Sequence, residues 1–275
     1  MNLFEAVILG IIQGFTEFLP VSSSGHLQLL HALFGVEEPT LMFDVWLHVA
    51  TLIPVFIVFR KPIWEIIKNP FQKMTLLLII GTVPVVIATL LFGEQIENLF
   101  GGGSIGFLAA TFAITGFLLL FADWASKKLA GKKTTDKMSV LDAAVIGCAQ
   151  AFAIPPGISR SGTTLAASLG RGLNREEAAK FIFLLSIPAI IGATLNEILK
   201  IIHLPEDYYE PVFAFGALPM IAGFVVAALS GYLAIKLMLA LIKKAKLRYF
   251  SVYVFALAGF ITIDTFLLGG RILGV

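Results

Sequence analysis

Residues 18–26 read FLPVSSSGH and residues 154–164 read IPPGISRSGTT. Each of these Pro/Gly/Ser stretches interrupts an otherwise apolar run, about 3–34 in the first case and about 139–170 in the second. The arms on either side are too short to cross a bilayer alone, which takes about 20 residues of helix. A helix that enters the membrane, breaks at the Ser-rich turn and returns on the same side accounts for both stretches. Irregular backbone at that depth is tolerated only where protein buries it or a water-filled cavity receives it. The breaks therefore predict two re-entrant hairpins with a polar site between them.

The rest of the chain agrees. Of 275 residues, 58% are hydrophobic and 14% charged, and the mean hydropathy is +0.92. Soluble domains carry roughly 25% charged residues, so an ordinary soluble enzyme is excluded. A net charge of +2 without a basic tail argues against a nucleic-acid partner, and the composition fits neither disorder nor collagen. One cysteine, Cys148, can form neither an internal disulfide nor a cysteine-rich metal site. Spans are expected at about 41–59, 74–92, 105–124, 178–201, 212–240 and 249–270. The start MNLFEAV lacks a basic n-region, and no removable signal peptide is expected.

Basic residues test this map. Arg60, Lys61, Lys68 and Lys73 share one connection; Lys127, Lys128, Lys132, Lys133 and Lys137 share a second. Arg171, Arg175 and Lys180 form a third group, and Lys236, Lys243, Lys244, Lys246 and Arg248 a fourth. Six spans and two re-entrant hairpins bring all four groups to one face, cytoplasmic by the positive-inside rule. Glu37, Glu38, Glu94, Glu97, Glu206, Asp207 and Glu210 fall on the other. Lys200 and Arg271 stand near outer span ends, which leaves Arg160 as the basic residue inside a broken helix.

The chain also repeats. A shift of 137 places Gly10, Gln13 and Phe15 on Gly147, Gln150 and Phe152, and Ser22, Ser24 and Gly25 on Ser159, Ser161 and Gly162. Ile53-Pro54 matches Ile187-Pro188, Gly81 and Pro84 match Gly216 and Pro219, and Gly116-Phe117 matches Gly259-Phe260. Each half, 1–135 and 136–275, then holds one hairpin and three spans. Three is odd, so the halves are inverted about an axis in the membrane plane. The expectation is an all-α polytopic membrane protein with an inverted-topology repeat, forming a single membrane domain.

The polar residues of the breaks suit phosphate. Ser- and Gly-rich turns lead into helices at 25–34 and 162–170, and free N–H groups at such starts bind anions. Ser22, Ser24, Gly25, Ser159, Ser161, Gly162, Thr163 and Thr164 are the candidate binding residues. Arg160 adds a permanent cation whose planar fork matches phosphate oxygens. Glu17 would repel phosphate unless a divalent cation lies between them, with Gln13 as a second oxygen ligand. Ser23 is a candidate nucleophile or phosphate ligand, and His26 a candidate base or nucleophile.

The segments QGFTEFLPVSSSGH (13–26) and PGISRSGTT (156–164), with their separation and the pattern of spans, resemble the undecaprenyl-diphosphate phosphatase family, also called the bacitracin-resistance proteins. The resemblance covers essentially the whole chain. It implies a bacterial inner-membrane hydrolase that converts undecaprenyl diphosphate to undecaprenyl phosphate, the lipid carrier of cell-wall synthesis. A divalent cation (Mg²⁺ or Ca²⁺) and a site reached from the periplasmic side are also implied. The family's acidic motif is often written with two Glu; here Gln13 takes the first place and Glu17 the second. Expected partners are the prenyl diphosphate and membrane lipids, with a homodimer allowed. Ser23 or His26 attacking phosphorus, and water activated by Glu17 or His26, are equally compatible with the residues.

A transporter or flippase for an anionic lipid is the competing reading, because inverted repeats with broken helices are a transporter signature. A phosphatidic-acid-phosphatase type is rejected: Ala166 stands where the His after Ser159-Arg160 is required, and Lys61-Pro62 follows the SGH motif instead of preceding it. Other polar residues read as structural. Asp44, Asp123, Glu197 and Asp264 are placed at interfaces, His31, His48 and His203 as isolated, and Gln13 and Gln150 as packing amides. Cys148 reads as a core residue, Pro54, Pro84, Pro188 and Pro219 as kinks, and Gly101 to Gly103 as an outer connection.

Overall fold

The computed structural model describes residues 1–35, 41–100, 105–129, 131, 133–202, 216–244 and 246–273. Glu37, Glu38, Gly101, Gly102, Gly103, Lys132, His203, Glu206, Asp207 and Glu210 lie outside the described residues. Within them the protein is helical and no strand occurs; one isolated bridge joins Lys133 to Leu173.

The first broken stretch folds as α1 (Leu3–Phe18) and α2 (Ser23–Phe34), the second as α7 (Val140–Phe152) and α8 (Arg160–Gly170). Spans follow each hairpin: α3 (Leu41–Val58), α5 (Lys73–Phe100) and α6 (Gly106–Lys128), then α9 (Arg175–Ile202), α10 (Ala217–Lys243) and α11 (Arg248–Leu267). Five of these pass as membrane spans on length and apolarity, and α3 makes six when joined to α4 (Arg60–Lys68). Their outer faces carry exposed Leu90, Phe117, Leu229, Val252 and Phe266. An apolar surface of that extent belongs in lipid. The chain is an all-α, multi-pass membrane protein.

One element departs from expectation. Residues 60–68 are not a plain connection: α4 turns 85° from α3 and has no buried residue. Trp64 and Ile67 lie exposed, and the Lys68 ammonium sits 5.4 Å from the Trp64 ring centroid. A short amphipathic helix with Trp and Lys is suited to the membrane–water boundary.

The packing is reciprocal between halves. Helix α1 lies on α10 and α7 lies on α5, so each hairpin's first arm rests on the other half's second span; α6 packs on α11 and α3 on α9 across the axis. The α1–α10 and α7–α5 crossings are tight. A Cβ added at Gly10 would lie 2.6 Å from the Gly223 carbonyl oxygen, and one at Gly147 would lie 2.5 Å from that of Gly81. Small residues are what let membrane helices approach this closely. These contacts correct the repeat register: Gly81 answers to Gly223, not Gly216. Gly216 precedes α10 with φ +74, and Pro219 stands in the first turn, where proline does not kink a helix. Pro54, Pro84 and Pro188 do lie inside helices.

The basic groups meet at one end. Arg175 donates to the Ser126 and Lys243 carbonyls, Lys73 donates to that of Asp136, and Asp142 pairs with Lys133 and Arg171. Residues read as charge markers thus also tie the hairpin α7–α8 to its neighbours. Two structural readings change. Cys148 is exposed on α7, not core. Asp264 is not interfacial: it is fully buried, and its carboxylate accepts from the Ile272 and Leu273 N–H groups at 3.0 Å each, folding the C-terminal turn back on α11.

Gly147→Val should cost about 1–3 kcal/mol, the usual range for overpacking, and so lower the melting temperature in detergent. Gly259→Val, whose Cβ would meet nothing within 4 Å, should leave it unchanged.

Candidate active site

Both hairpins turn through matching caps. Ser22 Oγ accepts from the Gly25 N–H at 3.4 Å and Ser159 Oγ from the Gly162 N–H at 3.1 Å. Beside them the Ser22–Ser24 and Ser159–Ser161 hydroxyl pairs stand 3.4 and 3.2 Å apart. Ser22 has φ +72, the one positive value at a non-glycine among the described residues. Such strain persists only where surroundings over-determine it, and it clusters at working sites.

The tips touch because glycines let them. An added Cβ at Gly25 would come within 2.9 Å of Gly157 Cα, and one at Gly162 within 3.3 Å of Pro20 Cβ. Ser161 Oγ donates to the Leu19 carbonyl at 3.1 Å across the same junction. Gly25 and Gly162 therefore serve contact between the tips.

At the crossing, Ser23 and Arg160 hold the first helical position of α2 and α8, the same place in each half. Both meet Glu17 at the end of α1. Arg160 Nη2 pairs with Glu17 Oε1, and Ser23 Oγ donates to Glu17 Oε2 at 2.6 Å. Gln13 Nε2, one turn earlier, donates to Oε2 at 3.1 Å. Glu17 has no counterpart, since the matching position is Ile154. Its side chain is 2% exposed, whereas Arg160 keeps 25% toward the cavity.

That cavity has a volume of about 590 Å³, and Glu17, Ser23, Ser24, Ser159, Arg160 and Ser161 line its polar end. Volumes of this order take a drug-sized ligand or the head of a larger one. First-turn N–H groups of α2 and α8 lack intrahelical partners by construction, and both helix starts carry positive dipole ends. One guanidinium and two helix starts converge there on a hydroxyl that is bonded to a carboxylate, an arrangement suited to an anion.

Other expected site residues sit elsewhere. His26 is buried away from the cavity. Its Nδ1 lies 2.6 Å from the Ser22 carbonyl and its Nε2 lies 2.7 Å from the Tyr253 hydroxyl, on which the ring also stacks. A carbonyl can only accept, so Nδ1–H donates to it and Nε2 accepts from the Tyr253 hydroxyl. Thr163 and Thr164 hydroxyls turn back to the Ser159 and Arg160 carbonyls at 2.7 and 2.8 Å. Gln150 donates to the Gly81 carbonyl at 3.4 Å and also lines the cavity.

His48 was not expected here. From α3 its Nε2 reaches within 3.6 Å of Glu17 Oε2, and its Nδ1 lies 2.7 Å from the Asp44 carbonyl. The usable signal was the stripe Asp44, His48, Thr51, polar residues on one face of an apolar span. Asp44 also pairs with His31 of α2 at 3.2 Å, tying α2 to α3 at the cavity edge.

A hard divalent cation takes oxygen ligands, and Mg²⁺ in particular makes do with one or two carboxylates plus phosphates and water. No cluster of three His, Cys, Asp or Glu able to hold a metal occurs among the described residues. An all-protein cage is therefore absent from them. What does fit is the pair of Glu17 and Gln13, whose Oε1 is a buried acceptor without a hydrogen-bond partner.

The fold defines an integral membrane protein in which two broken helices meet at a charged site. Residues 6–260 match the family of bacitracin resistance protein BacA, and the chain belongs to that family. It is 47% identical over 257 residues to an undecaprenyl-diphosphatase of Carboxydothermus hydrogenoformans, covering 94% of this chain and 95% of that one. It is 45% identical over 258 residues to undecaprenyl-diphosphatase 4 of Bacillus cereus, with the same coverage. An undecaprenyl-diphosphatase of Halothermothrix orenii is 42% identical, with 92% and 94% covered.

Removing one partner of a fully buried ion pair costs about 3–5 kcal/mol, and the exposed edge of Arg160 lowers that figure. Arg160→Met should therefore depress both melting temperature and turnover. Adding Glu17→Leu should recover most of the melting temperature and none of the turnover.

Proposed function

We propose that this protein hydrolyses undecaprenyl diphosphate to undecaprenyl phosphate and inorganic phosphate, and so returns the lipid carrier to cell-wall synthesis. The observation that carries the chemistry is the 2.6 Å bond from Ser23 Oγ to Glu17 Oε2 beside Arg160. The names of the relatives support the substrate. The transporter reading is set aside, because a hydroxyl bonded to a carboxylate beside Arg160 exceeds what anion binding alone requires.

The diphosphate lies between the starts of α2 and α8, its charge met by Arg160 and the first-turn N–H groups. Ser22, Ser24, Ser159 and Ser161 hold those turns in shape. Glu17 takes the proton from Ser23 Oγ as the oxygen attacks the terminal phosphorus. The bond from that phosphorus to the bridging oxygen breaks, and undecaprenyl phosphate leaves with the electron pair. Glu17 passes that proton to the departing phosphate, takes another from the water that attacks the phosphoserine, and returns it to Ser23 Oγ as inorganic phosphate is released. Arg160 and the two helix starts stabilise the charge that grows on the equatorial and leaving oxygens. His48 and Gln13 hold the Glu17 carboxylate in orientation, and His26 anchors the α2 turn to Tyr253. Glu17 and Gln13 would hold Mg²⁺ or Ca²⁺ together with the diphosphate, and the cation supplies further neutralisation of phosphate charge.

The setting follows the charge map. The basic face is cytoplasmic, the membrane is the bacterial inner membrane, and the cavity opens toward the periplasm. The halves 1–135 and 136–275 are the two inverted repeats.

Phosphate release by purified protein from undecaprenyl diphosphate tests the activity, and no release under any divalent cation would overturn it. Ser23→Ala should abolish release without lowering the melting temperature, whereas His26→Ala should lower both. Near-normal turnover in Ser23→Ala would exclude the serine nucleophile. Stripping divalent cations with a chelator should reduce release by about a hundredfold or more, the scale of one lost charge-stabilising contact, and Mg²⁺ or Ca²⁺ should restore it.

A further inference from the structure

The outer face of α4 is used neither by the core nor by the site. The helix starts where α3 ends, and the next span begins at Lys73, so membrane helices hold it at the boundary from both sides. The 85° turn lays it across the direction of α3. Ile63 and Ile66 pack against the largest core cluster. At 3.6 residues per turn, positions 60, 61, 64, 67 and 68 share the opposite face, and all five are exposed. Trp64 and Ile67 adjoin on it, 58% and 61% exposed, and Phe71 in the turn that follows is fully exposed.

The charge on this face is one-sided. Arg60, Lys61 and Lys68 stand beside a single acidic residue, Glu65, and none of the three cations pairs with a carboxylate among the described residues. Other cations of the basic face are committed: Lys133 and Arg171 to Asp142, Lys127 to Asp123, and Lys73 to the Asp136 carbonyl. On α4 the Lys68 ammonium sits 5.4 Å from the Trp64 ring centroid, so cation and indole present themselves together. An apolar edge carrying Trp, next to unpaired cations at the level where spans end, complements a phospholipid and not water alone. We infer that α4 is a binding site for the headgroup of an anionic phospholipid in the leaflet at the basic face, with Lys61 and Lys68 on the phosphate and Trp64 and Ile67 against the start of the acyl chains. A zwitterionic headgroup brings its own cation against the lysines, so the site discriminates by charge.

The test uses the full chain with Trp46→Phe and Trp124→Phe, which leaves Trp64 as its one indole, in phosphatidylcholine vesicles. Brominated phosphatidylglycerol or brominated phosphatidylcholine is titrated in as quencher. Half-maximal quenching of Trp64 should need about fivefold less of the anionic lipid, the scale of one cation near an anionic surface. Lys61→Gln with Lys68→Gln should bring the two half-points together. Lys236→Gln with Lys246→Gln, exposed cations away from α4, should keep them apart. Equal half-points before substitution, a difference that survives the α4 changes, or one lost equally in the control overturns the inference. So does the absence of quenching by either lipid, as when a second copy covers α4. Inorganic phosphate added at constant ionic strength should displace nothing; displacement would mark a free-phosphate site and overturn the lipid as occupant. Native mass spectrometry of the chain with all three Trp, from micelles holding both lipids in equal amount, gives a readout without the Trp changes. Preferential retention of phosphatidylglycerol, lost with the α4 lysines, is expected, and equal retention of the two lipids overturns the inference.

Discussion

The arrangement depends on one ion pair, Glu17 with Arg160. Each charge sits in a broken helix of an otherwise apolar half, where an unpaired charge is costly whatever scale is used. Pairing them across the two hairpin tips removes that cost only if the tips stay in contact. Gly25, Gly162 and the Ser161–Leu19 bond meet that requirement. The pair also leaves the site locally neutral with one face of the guanidinium open to the cavity. A phosphate arriving there meets a cation already held in place, so little reorganisation is left for the moment of reaction.

Around this pair, duplicated backbone carries unduplicated chemistry. The caps at Ser22 and Ser159 and the hydroxyl pairs beside them differ by a few tenths of an ångström. Yet the first helical position is Ser23 in one half and Arg160 in the other, and Glu17 answers to Ile154. Two identical halves would have set like against like at the axis. Divergence at these two positions instead brings hydroxyl, carboxylate and guanidinium to one point. The halves also differ beside the site: Phe59 and Met238 are buried in the core, whereas Gly192 lines the cavity.

His26 and His48 make contacts that their surroundings in sequence do not announce. His26 stands next to SSSG and invites a chemical reading, but a helix start turns its neighbours' hydroxyls and its own ring in different directions. The ring ends between the Ser22 carbonyl and Tyr253, 227 residues away. His48 has no motif near it, and its reach to Glu17 exists only because α3 packs beside the first hairpin. Helix α4 is a similar case. Its Trp64–Lys68 spacing is readable, but the 85° turn that lays it along the boundary comes from where α3 ends.

Composition, the two Ser-rich breaks and the placement of basic residues are local properties of the chain. They were enough to determine the membrane class and the two helix breaks, and they pointed to Glu17, Ser23 and Arg160, because a charge inside an apolar run is costly. Pairings between distant elements are not local. That Ser23 donates to Glu17, that Gly81 answers to Gly223 and that Asp264 caps the C-terminal turn were decided by helix packing alone. Side-chain direction depends on the rotation of each helix against its neighbours, and that rotation is set by contacts summed over the whole interface.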